Sequence, residues 1–243
     1  MYQEKKWFIY PSENFKEFGC FMSGELVTIV AESNSGKTTF AMDIISKNAE
    51  RGRKWFYINL EFAIETMWQG RWLWQHDKTK ESLTDLSPLT DAEKQEMDDF
   101  VKKMLSKFDY YNNANWIELQ ELIDLISDKA LEWYELFVID TFSRIKWNLE
   151  QDKARTSQNR CMEQLQELAQ RLNVAIVVLH HTNRQWTREW TQKIMDLSNV
   201  FIMIEKDADC DWTPYRRYKL MKDKFTPDKE LELFYRNGEY TFG

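Results

Sequence analysis

Residues 31–39 read Ala-Glu-Ser-Asn-Ser-Gly-Lys-Thr-Thr, between an apolar run at 26–30 and an amphipathic run at 40–49. These patterns predict a strand, a tight loop and a helix in that order. Backbone N–H groups at the start of a helix have no partner within the helix, and the helix dipole adds partial positive charge there. The stretch therefore predicts a phosphate-binding loop formed by Ser33, Asn34, Ser35, Gly36, Lys37, Thr38 and Thr39.

Three residues of this loop have distinct chemical roles. Gly36 lets the backbone close around phosphate oxygens, Lys37 supplies positive charge for the β- and γ-phosphates, and the Thr38 hydroxyl is a ligand for Mg²⁺. The pattern usually begins with glycine, whereas Ala31 stands at that position. The alternative is an ordinary strand–turn–helix junction with a chance Gly-Lys-Thr. The flanking strand and helix favour the phosphate loop.

Polar side chains also follow three other apolar runs, namely Asp140, Glu61 and the pair His180-His181. Ligands of open α/β sheets bind at the carboxyl ends of the strands. Asp140 there would hold the water shell of Mg²⁺, and Glu61 would polarise the water that attacks the γ-phosphate. Successive strand residues point to opposite faces, so only one histidine would face the site. The alternatives are a helix-capping Asp, a helix-start Glu and solvent-capped histidines.

Composition indicates a soluble globular protein. The chain has 243 residues with 43% hydrophobic and 30% charged residues, which favours one large α/β domain. Its apolar runs are too short to span a bilayer, its N-terminus has no secretory signal pattern, and its three cysteines favour free thiols in a reducing cytoplasm. The net charge of −7 excludes a wholly basic nucleic-acid-coating surface but permits a local basic loop.

Continuous apolar strands that alternate with amphipathic helices predict a mostly parallel central sheet flanked by helices. We expect one domain over residues 1–243, with 1–24 as a lead-in segment. The motif Thr90-x-x-Glu93 predicts a capping box that begins a helix, and residues 115–118 indicate another helix start. The dipeptide Asn237-Gly238 predicts a C-terminal antiparallel hairpin.

Glycine is scarce and tryptophan abundant, with 7 glycines and 11 tryptophans in the chain. The average glycine content is about 7%. Several tryptophans stand where turns favour glycine, among them Trp116 and Trp133. We hypothesise that the source reads the codon UGA as glycine and that such positions were translated as tryptophan. Trp72 and Trp74, in a predicted helix, argue against a complete exchange.

In their order along the chain, the phosphate loop, Glu61, Asp140 and His180-His181-Thr182-Asn183-Arg184 resemble the RecA/DnaB-type ATPase core. The resemblance is in particular to the motor domains of DnaB-like replicative helicases, and also to the RepA-like hexameric helicases, over roughly residues 15–243. The resemblance implies a RecA-like P-loop NTPase fold with ATP and Mg²⁺ as cofactors. It also implies that Glu61 is the catalytic base, Asp140 the Mg²⁺ carboxylate and His181 the γ-phosphate sensor.

The resemblance further implies an assembly and a partner. Lys222-Asp223-Lys224 resembles the basic pair that relatives insert into the site of a neighbouring subunit, which implies a homo-oligomer, a hexameric ring or a filament. The loop after the sensor strand corresponds to the family's DNA loop, so Arg184, Arg188 and Lys193 are expected to contact single-stranded DNA. No N-terminal helicase collar domain is expected before the core.

These features together predict a Mg²⁺-dependent ATPase of the RecA/DnaB type that acts on single-stranded nucleic acid. The expected role is a minimal helicase or DNA-dependent ATPase in DNA replication or recombination. The alternative is a non-translocating ATP switch, such as a recombination mediator, a loader or a KaiC-like regulator. No membrane partner is expected.

Overall fold

The structure is a computed structural model that describes residues 4–76, 78, 85–146, 154–182, 188–206, 215–223, 226–236 and 239–242. Strands and helices alternate through these residues. The strands are β1 (Trp7–Ile9), β2 (Cys20–Met22), β3 (Leu26–Ala31), β4 (Trp55–Asn59), β5 (Tyr110–Asn112), β6 (Ile117–Glu118), β7 (Leu136–Asp140), β8 (Ile145–Lys146), β9 (Ala175–His181), β10 (Val200–Lys206), β11 (Tyr215–Lys222), β12 (Lys229–Arg236) and β13 (Glu239–Phe242). The helices are α1 (Lys37–Ala49), α2 (Ile64–Gln75), α3 (Asp91–Leu105), α4 (Leu119–Leu131), α5 (Ala154–Leu172) and α6 (Arg188–Leu197).

One nine-stranded sheet, in the order β13-β12-β11-β10-β3-β9-β7-β4-β5, organises the described residues. The six strands from β10 to β5 are parallel, and β11, β12 and β13 continue the sheet antiparallel. The prediction of a mostly parallel sheet with a C-terminal antiparallel hairpin is confirmed. β3, which leads into residues 31–39, lies inside the sheet, and β9 separates it from β7.

Side chains on the two faces of this sheet enter two different cores. Along β3, Val27 and Ile29 belong to one buried cluster, whereas Leu26 and Val30 belong to the other. The alternating directions of strand side chains therefore explain why a continuous apolar run was needed. Helices cover both faces, and none of those within the described residues has the length and apolar character that a membrane span requires.

Short elements account for most departures from the predicted organisation. The lead-in segment contains β1 and β2, which pair with each other, and a 3₁₀ helix, Glu13–Phe18. Two- and three-residue strands have too few residues for a periodic signal. The capping box is present on α3, where Thr90 Oγ1 accepts a hydrogen bond from Glu93 N at 3.3 Å. The turn at 237–238 lies outside the described residues, but Arg236 and Glu239 pair on either side of it.

Trp133 lies in a left-handed backbone conformation just after α4. Its φ is +71°, and Tyr134 N donates to Lys129 O at 3.2 Å, the bond pattern of a helix end that usually has glycine at this position. The indole is 79% exposed. Trp68 and Trp72, in contrast, are both 1% exposed within cores. The UGA hypothesis is therefore supported at Trp133, and the buried tryptophans oppose a complete exchange.

We expect Trp133→Gly to raise the free energy of unfolding by about 0.5–1 kcal/mol. A side chain costs about 1–2 kcal/mol in the left-handed conformation, and the greater freedom of glycine in the unfolded chain offsets part of that gain. Urea unfolding measures the difference. Trp116→Gly is the control, because Trp116 is exposed without a positive φ and has Arg144 at 5.4 Å from its ring. A stabilisation by Trp116→Gly as large as that by Trp133→Gly would contradict the backbone argument.

Candidate active site

The loop between β3 and α1 has the backbone of a phosphate cradle. Gly36 has a φ of +89°, a conformation that favours glycine, although an added Cβ would meet nothing within 4 Å. Gly36 is also the N-cap of α1, and its carbonyl accepts the N–H of Phe40 at 2.9 Å. Asn34, with a φ of 60°, makes a second left-handed turn. The loop therefore ends at a thirteen-residue helix whose first N–H groups face the same edge of the sheet as the strand ends.

Lys37 is buried at the first position of α1. Its Nζ donates to Ala31 O at 3.0 Å and to Glu32 O at 2.9 Å, so the ammonium lies across the loop. Burial lowers the pKa of Lys37 to about 8, against the opposing effect of the nearby carboxylates of Asp140 and Glu61. The side chain is therefore mostly protonated at neutral pH and places a positive charge inside the loop.

Asp140, the last residue of β7, is linked to the loop by a hydroxyl. Thr38 Oγ1 donates to Asp140 Oδ2 at 2.7 Å, and the hydroxyl of Tyr57, on β4, donates to the same oxygen at 2.7 Å. Burial raises the pKa of Asp140, and these two hydrogen bonds oppose the shift. The other oxygen, Oδ1, is buried without a hydrogen-bond partner among the described residues.

The donor set of Thr38 and Asp140 fits Mg²⁺. A magnesium ion takes oxygen ligands, keeps several waters and binds through one or two carboxylates together with substrate phosphates. A buried carboxylate oxygen without a donor is costly unless a cation or a water satisfies it. Asp140 Oδ1 is such an oxygen. Thr38 and Asp140 would hold the ion, which would supply positive charge for bound phosphates.

Glu61 and His181 meet at the same edge from the ends of β4 and β9. His181 Nε2 lies 3.3 Å from Glu61 Oε2 and 3.3 Å from Oε1. The hydrogen bond from His181 is the main cause that lowers the pKa of Glu61; burial opposes it, and the charges of Lys37 and Arg144 add to it. Glu61 is half-buried, so an ionised carboxylate remains accessible to water.

His180 faces the opposite side of β9. It is buried, its ring centroid lies 5.1 Å from that of Phe142, and its Nδ1 lies 3.0 Å from His181 O. Burial lowers the pKa of His180 to about 3, so this ring is neutral. Alternation along the strand thus separates a core histidine from the histidine at the site.

Comparison with known proteins shows the family and the fold of the chain. Residues 8–185 match the family model described as an AAA domain. The chain belongs to this AAA-domain family. No curated protein sequence matches the chain.

The fold of this AAA-domain protein is that of the RecA/DnaB-type P-loop ATPases. One solved structure, described as an ATPase domain, superposes with a TM-score of 0.73 at 11% identity, over 90% of this chain and 85% of that chain. A DnaB-like replicative helicase, whose structure was described together with its interactions with primase, gives 0.74 at 11% identity over 90% of this chain, but the chain spans only 57% of it. The RadB recombinase gives 0.60 at 16% identity over 94% of this chain and 96% of that chain.

Two residues on β4 contribute to the site of this AAA-domain protein without having been predicted. Tyr57 contacts Asp140 as described, and Asn59 Oδ1 accepts the N–H of Glu61 at 3.4 Å while Asn59 Nδ2 donates to Asn112 Oδ1 at 2.6 Å. Tyr57 and Asn59 are two residues apart and share a face of β4, and Glu61 lies two residues after the end of this strand. The spacing of Tyr57 and Asn59 indicates a shared face, but it does not indicate which neighbouring strand that face contacts.

Arg216, at the start of β11, also reaches the loop. Its Nε donates to Ser35 O at 3.3 Å, and burial lowers its pKa. Its position follows from the antiparallel pairing of β10 with β11, which sets Arg216 opposite Lys206 at the end of β10. Nothing in the local sequence indicates this long-range contact.

Lys222 lies at the other end of the sheet from the phosphate loop of its own chain. β11 is antiparallel to β10, and Lys222 pairs with Phe201 near the beginning of β10, about 20 Å of strand away from Arg216. Lys222 Nζ donates to Met195 O at 2.9 Å and to Asp196 O at 2.8 Å, near the end of α6. A contact with phosphate would therefore have to be made in another subunit.

The other expected basic residues give less structural information. Lys224 and Arg184 lie outside the described residues, and so does the side chain of Arg188, the first residue of α6. Lys193 is exposed on α6. Their expected contacts with a neighbouring subunit or with nucleic acid stay predictions.

Proposed function

We propose that this protein is a Mg²⁺-dependent ATPase that acts on single-stranded nucleic acid, as a minimal helicase or a DNA-dependent ATPase in DNA replication or recombination. The observation that carries the proposal is the meeting of a phosphate loop, a hydroxyl–carboxylate pair and a carboxylate–histidine pair at one edge of the sheet. Each group is of the type that phosphoryl transfer requires.

Each residue of the site has a separate role in ATP hydrolysis. Lys37 binds the β- and γ-phosphates, and the N–H groups at the start of α1 hold the remaining phosphate oxygens. Mg²⁺, held by Thr38 and Asp140, would neutralise charge on the phosphates. Glu61 accepts the proton of the attacking water, a contribution of about 10²–10⁴ in rate. His181, in contact with Glu61, is placed to sense the γ-phosphate beside the base.

A ring or filament on nucleic acid accounts for the residues that this site leaves unused. Lys222 lies too far from its own loop to serve it, which supports the proposal that Lys222 and Lys224 act in the site of a neighbouring subunit. Arg184, Arg188 and Lys193 follow the sensor strand and would contact phosphates of single-stranded DNA. We propose a cytoplasmic location, because three cysteines without a pairing pattern fit free thiols in a reducing compartment.

A non-translocating switch is the second candidate. The likeness to the RadB recombinase, with a TM-score of 0.60 over 94% of this chain, supports a recombination role as an alternative. A recombination protein that uses ATP to gate partner binding would need the same phosphate chemistry without translocation. The response of ATP hydrolysis to DNA separates the two candidates.

ATP hydrolysis by the full chain is expected to rise at least about tenfold on addition of single-stranded DNA. The logarithm of the DNA-binding constant falls linearly with the logarithm of the salt concentration, by about 0.7 per phosphate contact on single strands. In the double variant Arg184→Ala/Arg188→Ala, which removes two contacts, the magnitude of this slope should therefore fall by about 1.4. Fluorescence anisotropy at several salt concentrations measures it. Arg51→Ala/Arg171→Ala, at two exposed arginines elsewhere, is the control. An ATP hydrolysis rate that does not change on addition of DNA would favour the switch. An unchanged salt dependence of DNA binding in Arg184→Ala/Arg188→Ala would show that these two arginines do not contact DNA.

A further inference from the structure

Tyr57 is a buried tyrosine whose hydroxyl ends at the proposed magnesium carboxylate. Its side chain is fully buried in the core cluster that also contains Ile64 and Trp68. β4 and β7 are parallel neighbours in which Tyr57 pairs with Val138 and Asn59 pairs with Asp140. Tyr57 thus reaches Asp140 diagonally, two residues further along the adjacent strand, where long side chains still make contact.

The hydroxyl of Tyr57 acts as a donor to this carboxylate. A phenol keeps its proton at neutral pH, and the Tyr57 hydroxyl lies within hydrogen-bond distance of the carboxylate. Asp140 is ionised when it serves a cation, and an ionised carboxylate only accepts hydrogen bonds. The contact of 2.7 Å is therefore a charge-assisted hydrogen bond from Tyr57 to Asp140 Oδ2.

The two oxygens of Asp140 are used differently. Oδ2 accepts both the hydroxyl of Thr38 and that of Tyr57, whereas Oδ1 is buried with no partner among the described residues. Both hydrogen bonds hold the plane of the carboxylate, because any orientation between the present one and the equivalent half-turn breaks them. The Tyr57 contact does not involve the phosphate loop, so it persists when Thr38 changes partners on binding an ion.

We propose that Tyr57 is a positioning residue that holds Asp140 Oδ2 and thereby leaves Oδ1 for the magnesium water shell. The inference rests on the proposed Mg²⁺-dependent function and adds a residue to it. A tyrosine that only filled the core would need its ring and not its hydroxyl. The two roles therefore separate in a variant that keeps the ring and loses the donor.

Tyr57→Phe should weaken metal binding about ten- to a hundredfold, the usual effect of losing a partner of a metal ligand. The probe is Mn²⁺, measured by electron paramagnetic resonance with the full chain and a non-hydrolysable ATP analogue. Affinity for the analogue in EDTA should stay within about twofold of wild type, because phosphate contacts are retained. Wild-type Mn²⁺ affinity in Tyr57→Phe would overturn the proposal.

Two further variants make the test specific. Tyr10→Phe is the matched control, because Tyr10 is also buried and its hydroxyl has no hydrogen-bond partner among the described residues; its metal affinity should be unchanged. Tyr57→4-aminophenylalanine restores a donor on the same ring and should recover Mn²⁺ affinity. If the 4-aminophenylalanine variant loses as much Mn²⁺ affinity as Tyr57→Phe, the hydrogen-bond donor is not what positions Asp140. If Tyr57→Phe does not fold, the Mn²⁺ affinity of the 4-aminophenylalanine variant alone decides between the two roles.

The outcome for the wild type tests the proposed function separately. Wild-type protein should bind Mn²⁺ more tightly with the ATP analogue than without it. If it does not, the Mg²⁺-dependent function itself is wrong, whatever Tyr57 does. If it does, and the Tyr57 variants bind Mn²⁺ with the wild-type affinity, only the positioning role of Tyr57 is wrong.

Discussion

Lys37→Ala is expected to lose tight ATP binding. The ammonium of Lys37 is buried inside the phosphate loop and already donates two hydrogen bonds there. On binding ATP this ammonium would donate instead to the β- and γ-phosphates. Hydrogen bonds to charged groups contribute about 1.5–3 kcal/mol each, so losing one bond to each phosphate should weaken binding at least about a hundredfold. Isothermal titration calorimetry measures the affinity, and circular dichroism verifies that the variant is folded.

Lys47→Ala, on the same helix, is the control for this prediction. Lys47 lies at the end of α1 and pairs with the exposed Glu50 at 3.0 Å, so its removal should leave the ATP affinity within about twofold, as for a surface pair of little energetic value. Unchanged affinity in a folded Lys37→Ala variant would remove the phosphate-loop interpretation.

The same lysine predicts a pH dependence. Burial lowers the pKa of Lys37 to about 8, and only the protonated amine attracts phosphate. Wild-type ATP affinity should therefore fall as the pH rises through about 8, because binding then has to take up a proton. Lys37→Ala should not show this fall. A wild-type affinity that stays level between pH 7 and 9 would contradict the assigned ionisation.

The parts of the site that could be predicted from the sequence are those whose chemistry is local. The residues assigned to the phosphate loop lie in one continuous stretch, 31–39. Asp140 and His181 end buried strands and Glu61 lies just after one, and parallel strands bring their carboxyl ends to one edge. That these side chains lie at one edge follows from the strands being parallel, and the order of the strands in the sheet is not needed for it.

The unpredicted parts depend on how the strands are paired. Tyr57 lies in an apolar strand and has the pattern of a core residue, and only the register of β4 on β7 brings its hydroxyl to Asp140. Arg216 and Lys222 lie on one strand, and the antiparallel direction of β11 sends the first towards the phosphate loop and the second away from it. Periodicity gives the face of a side chain but not the neighbouring strand.

Glu61→Gln is expected to bind ATP normally and to hydrolyse it at least about a hundredfold more slowly, the lower end of a general-base contribution. The hydrogen bond from His181 lowers the pKa of Glu61, so the carboxylate is ionised at neutral pH and able to accept a proton. The amide of glutamine has nearly the same shape but cannot accept the proton. Single-turnover hydrolysis, with ATP affinity from calorimetry, separates the chemical step from binding.

Glu65→Gln is the matched control, because Glu65 is also an acidic residue at the beginning of α2 but is exposed. A helix-start carboxylate acts only through the helix dipole, which contributes about 0.3–1 kcal/mol to stability and nothing to proton transfer. Glu65→Gln should therefore hydrolyse ATP at the wild-type rate. If Glu61→Gln does the same while it binds ATP, Glu61 is a helix-start residue, and the base must be another group that water reaches beside the γ-phosphate.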